Sequence, residues 1–126
     1  DGTIALVRQY RHAAEKYLLE LPAGTLNESE DPLIGARREL EEEIGVVADS
    51  VEKLCAFYVS PGFLTEKMFL FVASGLTETA QNLDEDEFVE IERYSLSELT
   101  EMIRAGKIED AKTIIGITLL AARSPA

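Results

Sequence analysis

Between Asp31 and Gly45 the chain spells out a helix with both of its ends marked. Asp31-Pro32 supplies a capping carboxylate and then a proline at the first helical position, where its missing N–H does no harm. Strong helix formers follow as far as Gly45, whose freedom to adopt positive φ suits a C-terminal cap. At about 100° per residue, Glu39, Glu42 and Glu43 fall within one third of the helix circumference. Leu33, Ala36, Leu40 and Ile44 form a separate apolar stripe. Whatever fold the chain adopts must therefore bury one stripe of this helix and leave a ridge of three carboxylates on the other. Like charges at this spacing oppose one another by a few tenths of a kcal/mol per pair, with only Arg37 and Arg38 near enough to offset them. On spacing alone the ridge reads either as a solvated acidic face or as a site for a hard divalent cation.

Strand-like segments surround this helix. Thr3 to Gln9 and Tyr17 to Leu21 precede it, the second stopping at Pro22, which cannot donate to a ladder. Val51 to Val59 and Lys67 to Gly75 follow, separated by the breaker-rich Ser60-Pro61-Gly62-Phe63 and predicted to pair as a hairpin. Thr77 to Glu87 is acidic and reads as a surface loop; Phe88 to Tyr94 resumes strand-like alternation. Ser95 with Glu98 forms a capping-box pattern ahead of a helix ending near Gly106, and a last apolar helix covers Thr113 to Ala122. Paired strands with three helices that do not alternate regularly predict an α/β sandwich with a mixed sheet. No repeat, low-complexity tract or linker interrupts the 126 residues, a length that suits one domain.

Charge narrows the function. With 24 acidic against 12 basic residues and a net charge of -12, the chain has no excess of cations to neutralise phosphates, which argues against nucleic acid as a partner. The apolar runs fall short of the roughly 20 residues that span a bilayer, so no membrane segment is expected. A single cysteine, Cys55, allows no intrachain disulfide and fits a cytoplasmic setting. It lies in a strand-like run and is expected in the core. His12, the one histidine, is read as incidental.

The segment Gly24 to Val46 carries the chemistry. Gly24, Glu30, Arg38, Glu39, Leu40, Glu42, Glu43, Gly45 and Val46 resemble the Nudix box: Gly, five residues, Glu, seven residues, then Arg-Glu-aliphatic-any-Glu-Glu-any-Gly-aliphatic. All nine specified positions, spread over twenty-three residues, are matched. The resemblance implies a Nudix-type α/β/α sandwich whose catalytic motif is a loop-helix-loop. It also implies hydrolysis of a nucleoside diphosphate linked to another moiety, with Mg²⁺, or Mn²⁺ in its place, held by the helix. Such chemistry suits a metal, because the pyrophosphate is heavily anionic and its oxygens need screening. In the family pattern Glu39 and Glu43 are the principal metal ligands, Glu42 a further ligand directly or through water, and the Ala23 carbonyl a backbone ligand. Arg38 and Glu30 match the pair that orients these carboxylates.

Three further segments resemble the ADP-ribose pyrophosphatase subfamily: Arg8-Gln9-Tyr10-Arg11, Glu20-Leu21-Pro22-Ala23-Gly24 and Ser60-Pro61-Gly62-Phe63. With Ala111-Lys112-Thr113-Ile114-Ile115-Gly116, the resemblance extends over nearly the whole chain. It implies cleavage of ADP-ribose to AMP and ribose 5-phosphate by in-line attack of water. Arg11 matches a substrate phosphate contact, and Arg8 is expected to bind substrate as well; Pro61, Gly62 and Glu66 match a substrate loop. In Asp84-Glu85-Asp86-Glu87 the alignment places the catalytic base at Glu85 and another metal ligand at Glu87. Tyr10 and Phe63 either stack on adenine or pack within the protein. Relatives carry an N-terminal segment that contributes to adenine binding and swaps across a homodimer. Here the chain opens on Asp1-Gly2-Thr3 directly before a strand, so we expect either that its natural beginning lies elsewhere or that the protein is a compact variant. The other readings are a Nudix hydrolase of another nucleoside diphosphate sugar or a dinucleotide, a non-catalytic ADP-ribose-binding domain, and a purely structural acidic domain. The intact Arg38-Glu39 and Glu42-Glu43 count against the non-catalytic reading.

Overall fold

A computed structural model describes residues 2–24, 29–79 and 90–123. Contacts divide the chain into two compact units, one comprising Asp1–Pro22 and Asn82–Ala126, the other Ala23–Gln81.

The first unit is built on a three-stranded sheet in the order β2-β1-β5, with β1 Thr3–Arg11, β2 Lys16–Glu20 and β5 Glu90–Ser95. Both ladders are antiparallel, pairing Val7 with Glu20 and Leu6 with Glu92. Helices α2, Leu96–Arg104, and α3, Ala111–Arg123, complete the unit. Its core gathers Leu6, Leu19, Leu99, Ile108 and Ile117, all nearly inaccessible to solvent. The expected capping box is present: Ser95 Oγ accepts from the Glu98 amide at 3.2 Å, and Glu98 Oε1 accepts from the Ser95 amide at 2.9 Å. Helix α3 starts two residues ahead of the expected Thr113. The Asp110 carboxylate accepts the Thr113 amide at 3.3 Å, and the Asp110 carbonyl accepts that of Ile114 at 3.0 Å, adding part of a turn.

The second unit joins α1, Pro32–Ile44, to an antiparallel hairpin of β3, Val46–Tyr58, and β4, Lys67–Glu78. Asp31 Oδ2 accepts from the Leu33 and Ile34 amides at 3.0 and 3.4 Å. Gly45 closes the helix at φ 66°, a conformation a Cβ would penalise. Strand β3 begins at once, five residues before the expected Val51. Val46 and Ala48 are buried while Val47 and Asp49 are exposed, the period-two pattern of a half-buried strand. Strand β4 runs past Gly75, so Thr77 and Glu78, expected in a loop, pair with Val47 and Val46. Thr79 donates its amide (2.8 Å) and its hydroxyl (3.1 Å) to the Gly45 carbonyl, tying the hairpin end to the helix cap. Arg37 Nη1 donates to the Ala48 carbonyl at 2.9 Å, fixing α1 against β3.

The helix faces divide less sharply than expected: Ala36 and Leu40 of the apolar stripe are half-buried, as are Glu39 and Glu43 of the ridge. Ile44 is buried, but Leu33, assigned to the apolar stripe, is 37% exposed; it sits in the first helical turn, beside the exposed cap Asp31. Cys55 is only half-buried, just past the bulge between Lys53 and Cys55 in β3. The mixed α/β composition is as expected. Every ladder among the described residues is antiparallel, so the parallel part of a mixed sheet is not among them. No helix among them is long and apolar enough to cross a membrane.

Candidate active site

Arg38 organises the acidic ridge of α1. Its Nε and Nη2 fork onto Glu30 Oε2 and Oε1, both at 2.9 Å, while Nη1 reaches Glu39 Oε1 and Glu42 Oε2, again both at 2.9 Å. The two parallel bonds to Glu30 are the arrangement a planar guanidinium makes best. Helical spacing explains the rest, since Glu42 lies one turn beyond Arg38. One guanidinium thus touches three carboxylates. Its pKa lies above the ordinary arginine value, chiefly through the Glu30 hydrogen bond, with desolvation opposing and Glu39 adding to the rise. Glu30 and Glu39 are largely covered, with side chains 11% and 24% exposed, whereas Glu42 is 60% exposed.

Gly24 shows why the ridge needs a glycine fifteen residues upstream. A Cβ there would lie 1.9 Å from Glu39 Cδ and 2.0 Å from its Oε2, so the carboxylate occupies the space of the missing side chain. The backbone beside Ala23 is thereby brought against the Glu39 carboxylate.

Among the described residues, no three acidic, imidazole or thiol side chains converge into a ready-made metal cage. The donors present nevertheless fit Mg²⁺. It takes hard oxygens, keeps several waters and is commonly held by one or two carboxylates plus substrate phosphates. Glu39 pressed against the backbone at Gly24, with the exposed Ala23 next in sequence, could offer such donors.

The remaining sequence candidates fall in both units. Arg8 and Arg11 both lie in β1, three residues apart, and the period of two sends their side chains to opposite faces of the sheet. Arg8 forks onto Glu92, with Nη2 to Oε1 at 3.0 Å, and the Tyr94 hydroxyl donates to the same carboxylate. Glu92 is held below the usual carboxylate range, first by Arg8 and then by Tyr94. Arg8 and Arg11 therefore project from opposite faces of β1. Arg11 instead meets Glu20, Nε to Oε2 at 2.6 Å and Nη2 to Oε1 at 2.5 Å, and Gln9 Oε1 at 2.8 Å. In the second unit, Pro61 and Gly62 occupy a turn closed by Phe63 and Leu64 amides donating to the Ser60 carbonyl, at 3.0 and 2.8 Å. A Cβ on Gly62 would meet nothing, so local structure does not demand glycine there. Glu66 is exposed at the hairpin's far end, its carbonyl accepting the Val59 amide at 3.2 Å. Phe63 is 91% exposed; Tyr10 is 45% exposed and makes edge-on contacts with His12 and Tyr17. Glu85 and Glu87 lie outside the described residues.

A model of the NUDIX domain matches residues 1–115. The chain belongs to the NUDIX family. This NUDIX chain is 44% identical over 122 residues to the methanol dehydrogenase activator of Bacillus methanolicus, and 41% identical over 122 residues to the ADP-ribose pyrophosphatase of Bacillus subtilis strain 168. Each alignment covers 95% of this chain and 66% of the relative, so the chain spans just under two thirds of their length. A solved structure described as an ADP compounds hydrolase superposes with a TM-score of 0.88 at 25% identity, covering 97% of this chain and 66% of that one. NUDIX hydrolases generally use divalent metal ions, in keeping with the oxygen donors above.

Sequence reasoning missed Glu20, Lys112, Asp110 and Thr113 as a connected set. Glu20 and Thr113 are the buried polar residues of the described chain. Their sequence signal is weak: Glu20 ends an apolar strand, an uncommon place for an acid unless it is paired.

Proposed function

We propose that the protein is a metal-dependent pyrophosphohydrolase that cleaves ADP-ribose to AMP and ribose 5-phosphate, its 126 residues acting as one NUDIX domain. The observation that carries this reading is the Arg38 fork on Glu30, whose remaining arm reaches Glu39 and Glu42, with Glu39 set against Gly24. The intact box and the similarity to an ADP-ribose pyrophosphatase support it further.

Glu39, Glu43 and the Ala23 carbonyl would hold Mg²⁺, with Glu42 as an additional ligand and Glu87 as one more; Mn²⁺ would substitute. When bound, the cation screens the phosphate oxygens and eases deprotonation of water. Arg38 keeps Glu39 and Glu42 from splaying apart under their mutual repulsion, and Glu30 holds Arg38. Arg11 binds a substrate phosphate, and Pro61, Gly62 and Glu66 border the substrate. Glu85 accepts the proton as water oxygen bonds to one phosphorus and the bridging P–O bond breaks. A cytoplasmic setting and a homodimer belong to the same proposal, the second read by sedimentation.

Incubation with ADP-ribose and Mg²⁺ followed by chromatography tests it, beside a panel of other nucleoside diphosphate sugars and dinucleotides. AMP and ribose 5-phosphate should accumulate fastest from ADP-ribose. Glu39→Gln and Glu43→Gln should each lose more than the roughly 10–100-fold that removal of a supporting partner costs. Faster turnover of another panel member would reassign the substrate, and near-normal turnover in either variant would remove the metal assignment.

A further inference from the structure

We infer that Glu20 is a positioning residue whose buried carboxylate sets the plane of the Arg11 guanidinium for an incoming phosphate, with Lys112 and Asp110 holding Glu20 in turn. The inference rests on the proposed role of Arg11 in phosphate binding.

Glu20 is 1% exposed at the end of β2, and both of its oxygens are used. Oε2 accepts from Arg11 Nε, and Oε1 accepts from Arg11 Nη2 and from Lys112 Nζ at 2.7 Å. Lys112 also donates to Asp110 Oδ2 at 2.9 Å, and that oxygen takes the Thr113 hydroxyl at 2.6 Å. The Thr113 hydroxyl oxygen accepts the Leu21 amide at 3.0 Å, closing the chain of bonds onto the residue after Glu20. Four charges thus balance, two of each sign. Burial by itself raises the Glu20 pKa and is the largest influence on it, yet the bonds from Arg11 and Lys112 outweigh it and keep the carboxyl ionised.

Exposure shows what this network is for. The side chains of Glu20, Lys112 and Asp110 are 1%, 11% and 19% exposed, whereas that of Arg11 is 47% exposed. Three members are fixed inside, and the fourth is a cation held at the surface. An arginine carries its five donors in one rigid plane, so gripping the Nε–Nη2 edge fixes the direction of the rest. A long side chain ordered in advance loses less freedom when it meets a ligand. Lys112 matters because it shares Glu20 Oε1 and, tied in turn to Asp110, holds that carboxylate in place against Arg11.

The test measures binding of inorganic pyrophosphate in Mg²⁺ by calorimetry, the Arg11 Nε–H resonance by NMR, and KM and kcat for ADP-ribose. Glu20→Gln should abolish the protected Arg11 resonance and weaken pyrophosphate binding about tenfold, with KM rising in step and kcat within about twofold. In an Arg11→Ala background the same change should have no further effect on pyrophosphate. Should Glu20→Gln fail to fold, Glu20→Asp keeps the charge beside Lys112 while falling short of Arg11, and should show the same loss. Unaltered pyrophosphate affinity in a folded Glu20 variant, independent effects of Glu20 and Arg11, or no pyrophosphate binding by the wild-type protein would each overturn the inference. A wild-type protein that binds pyrophosphate through Glu20 but leaves ADP-ribose intact would instead sink the proposed function and sustain this one.

Discussion

Replacing Gly24 by alanine should separate catalysis from stability. The new Cβ would stand 1.9 Å from Glu39 Cδ, 2.0 Å from Oε2 and 2.5 Å from Cγ, where carbon atoms ordinarily keep about 3.5–4.0 Å apart. Glu39 must then withdraw by roughly 1.5–2 Å, which takes its carboxylate away from the Gly24 backbone and from Arg38 Nη1. Because the clashing atoms end a flexible side chain, the retreat is cheap. An off-rotamer side chain costs about 0.5–1.5 kcal/mol and a lost hydrogen bond to a charged group about 1.5–3 kcal/mol, part of which water restores at the exposed quarter of Glu39. Unfolding free energy should fall by no more than about 2 kcal/mol. Activity is far less tolerant, since metal–ligand distances hold to about 0.2 Å and a misplacement of about 1 Å can cost on the order of 100-fold. We therefore expect kcat/KM for ADP-ribose in Mg²⁺ to drop at least about 100-fold, equivalent to about 2.7 kcal/mol of transition-state stabilisation. Mn²⁺ binding followed by electron paramagnetic resonance should weaken in parallel, while the thermal transition stays cooperative. A folded Gly24→Ala protein with kcat/KM within about threefold of wild type and undiminished Mn²⁺ binding would refute the reasoning.

Three other outcomes follow from the same geometry. Arg38→Lys puts one ammonium where a fork met Glu30 and an arm met Glu39 and Glu42; kcat/KM should fall about 10–100-fold with little change in circular dichroism, and equal activity would deny Arg38 its orienting role. Thr113→Val keeps the shape but removes the hydroxyl between the Leu21 amide and Asp110, so urea titration should show a loss of about 1–3 kcal/mol; none would mean water replaces it. Glu20 and Glu92 both have folded-state pKa values below the reference 4.5, so their contribution is complete above that value and is lost as pH falls through the folded values. Melting temperature should decline steeply below about pH 4.5, less steeply in Glu92→Gln, and identical slopes would exclude Glu92 from acid destabilisation.

The sequence by itself determined the local features. Asp31-Pro32 and Gly45 mark the ends of α1, Ser95 and Glu98 the start of α2, and Ser60-Pro61-Gly62-Phe63 the hairpin, because caps and turns act between neighbouring residues. It also placed Arg38, Glu39, Glu42 and Glu43 within reach of one another, because helical spacing makes residues three and four apart adjacent. Only the tertiary structure decided the rest. The start of β3 at Val46 follows from burial of Val46 and Ala48, a property of what packs on them. The parting of Arg8 from Arg11 follows from β1 being paired as a strand along its whole length. That Gly24 yields its space to Glu39 fifteen residues later, and that Glu20 shares its charge with Lys112 ninety-two residues away, are facts of chain crossing, which no local propensity encodes.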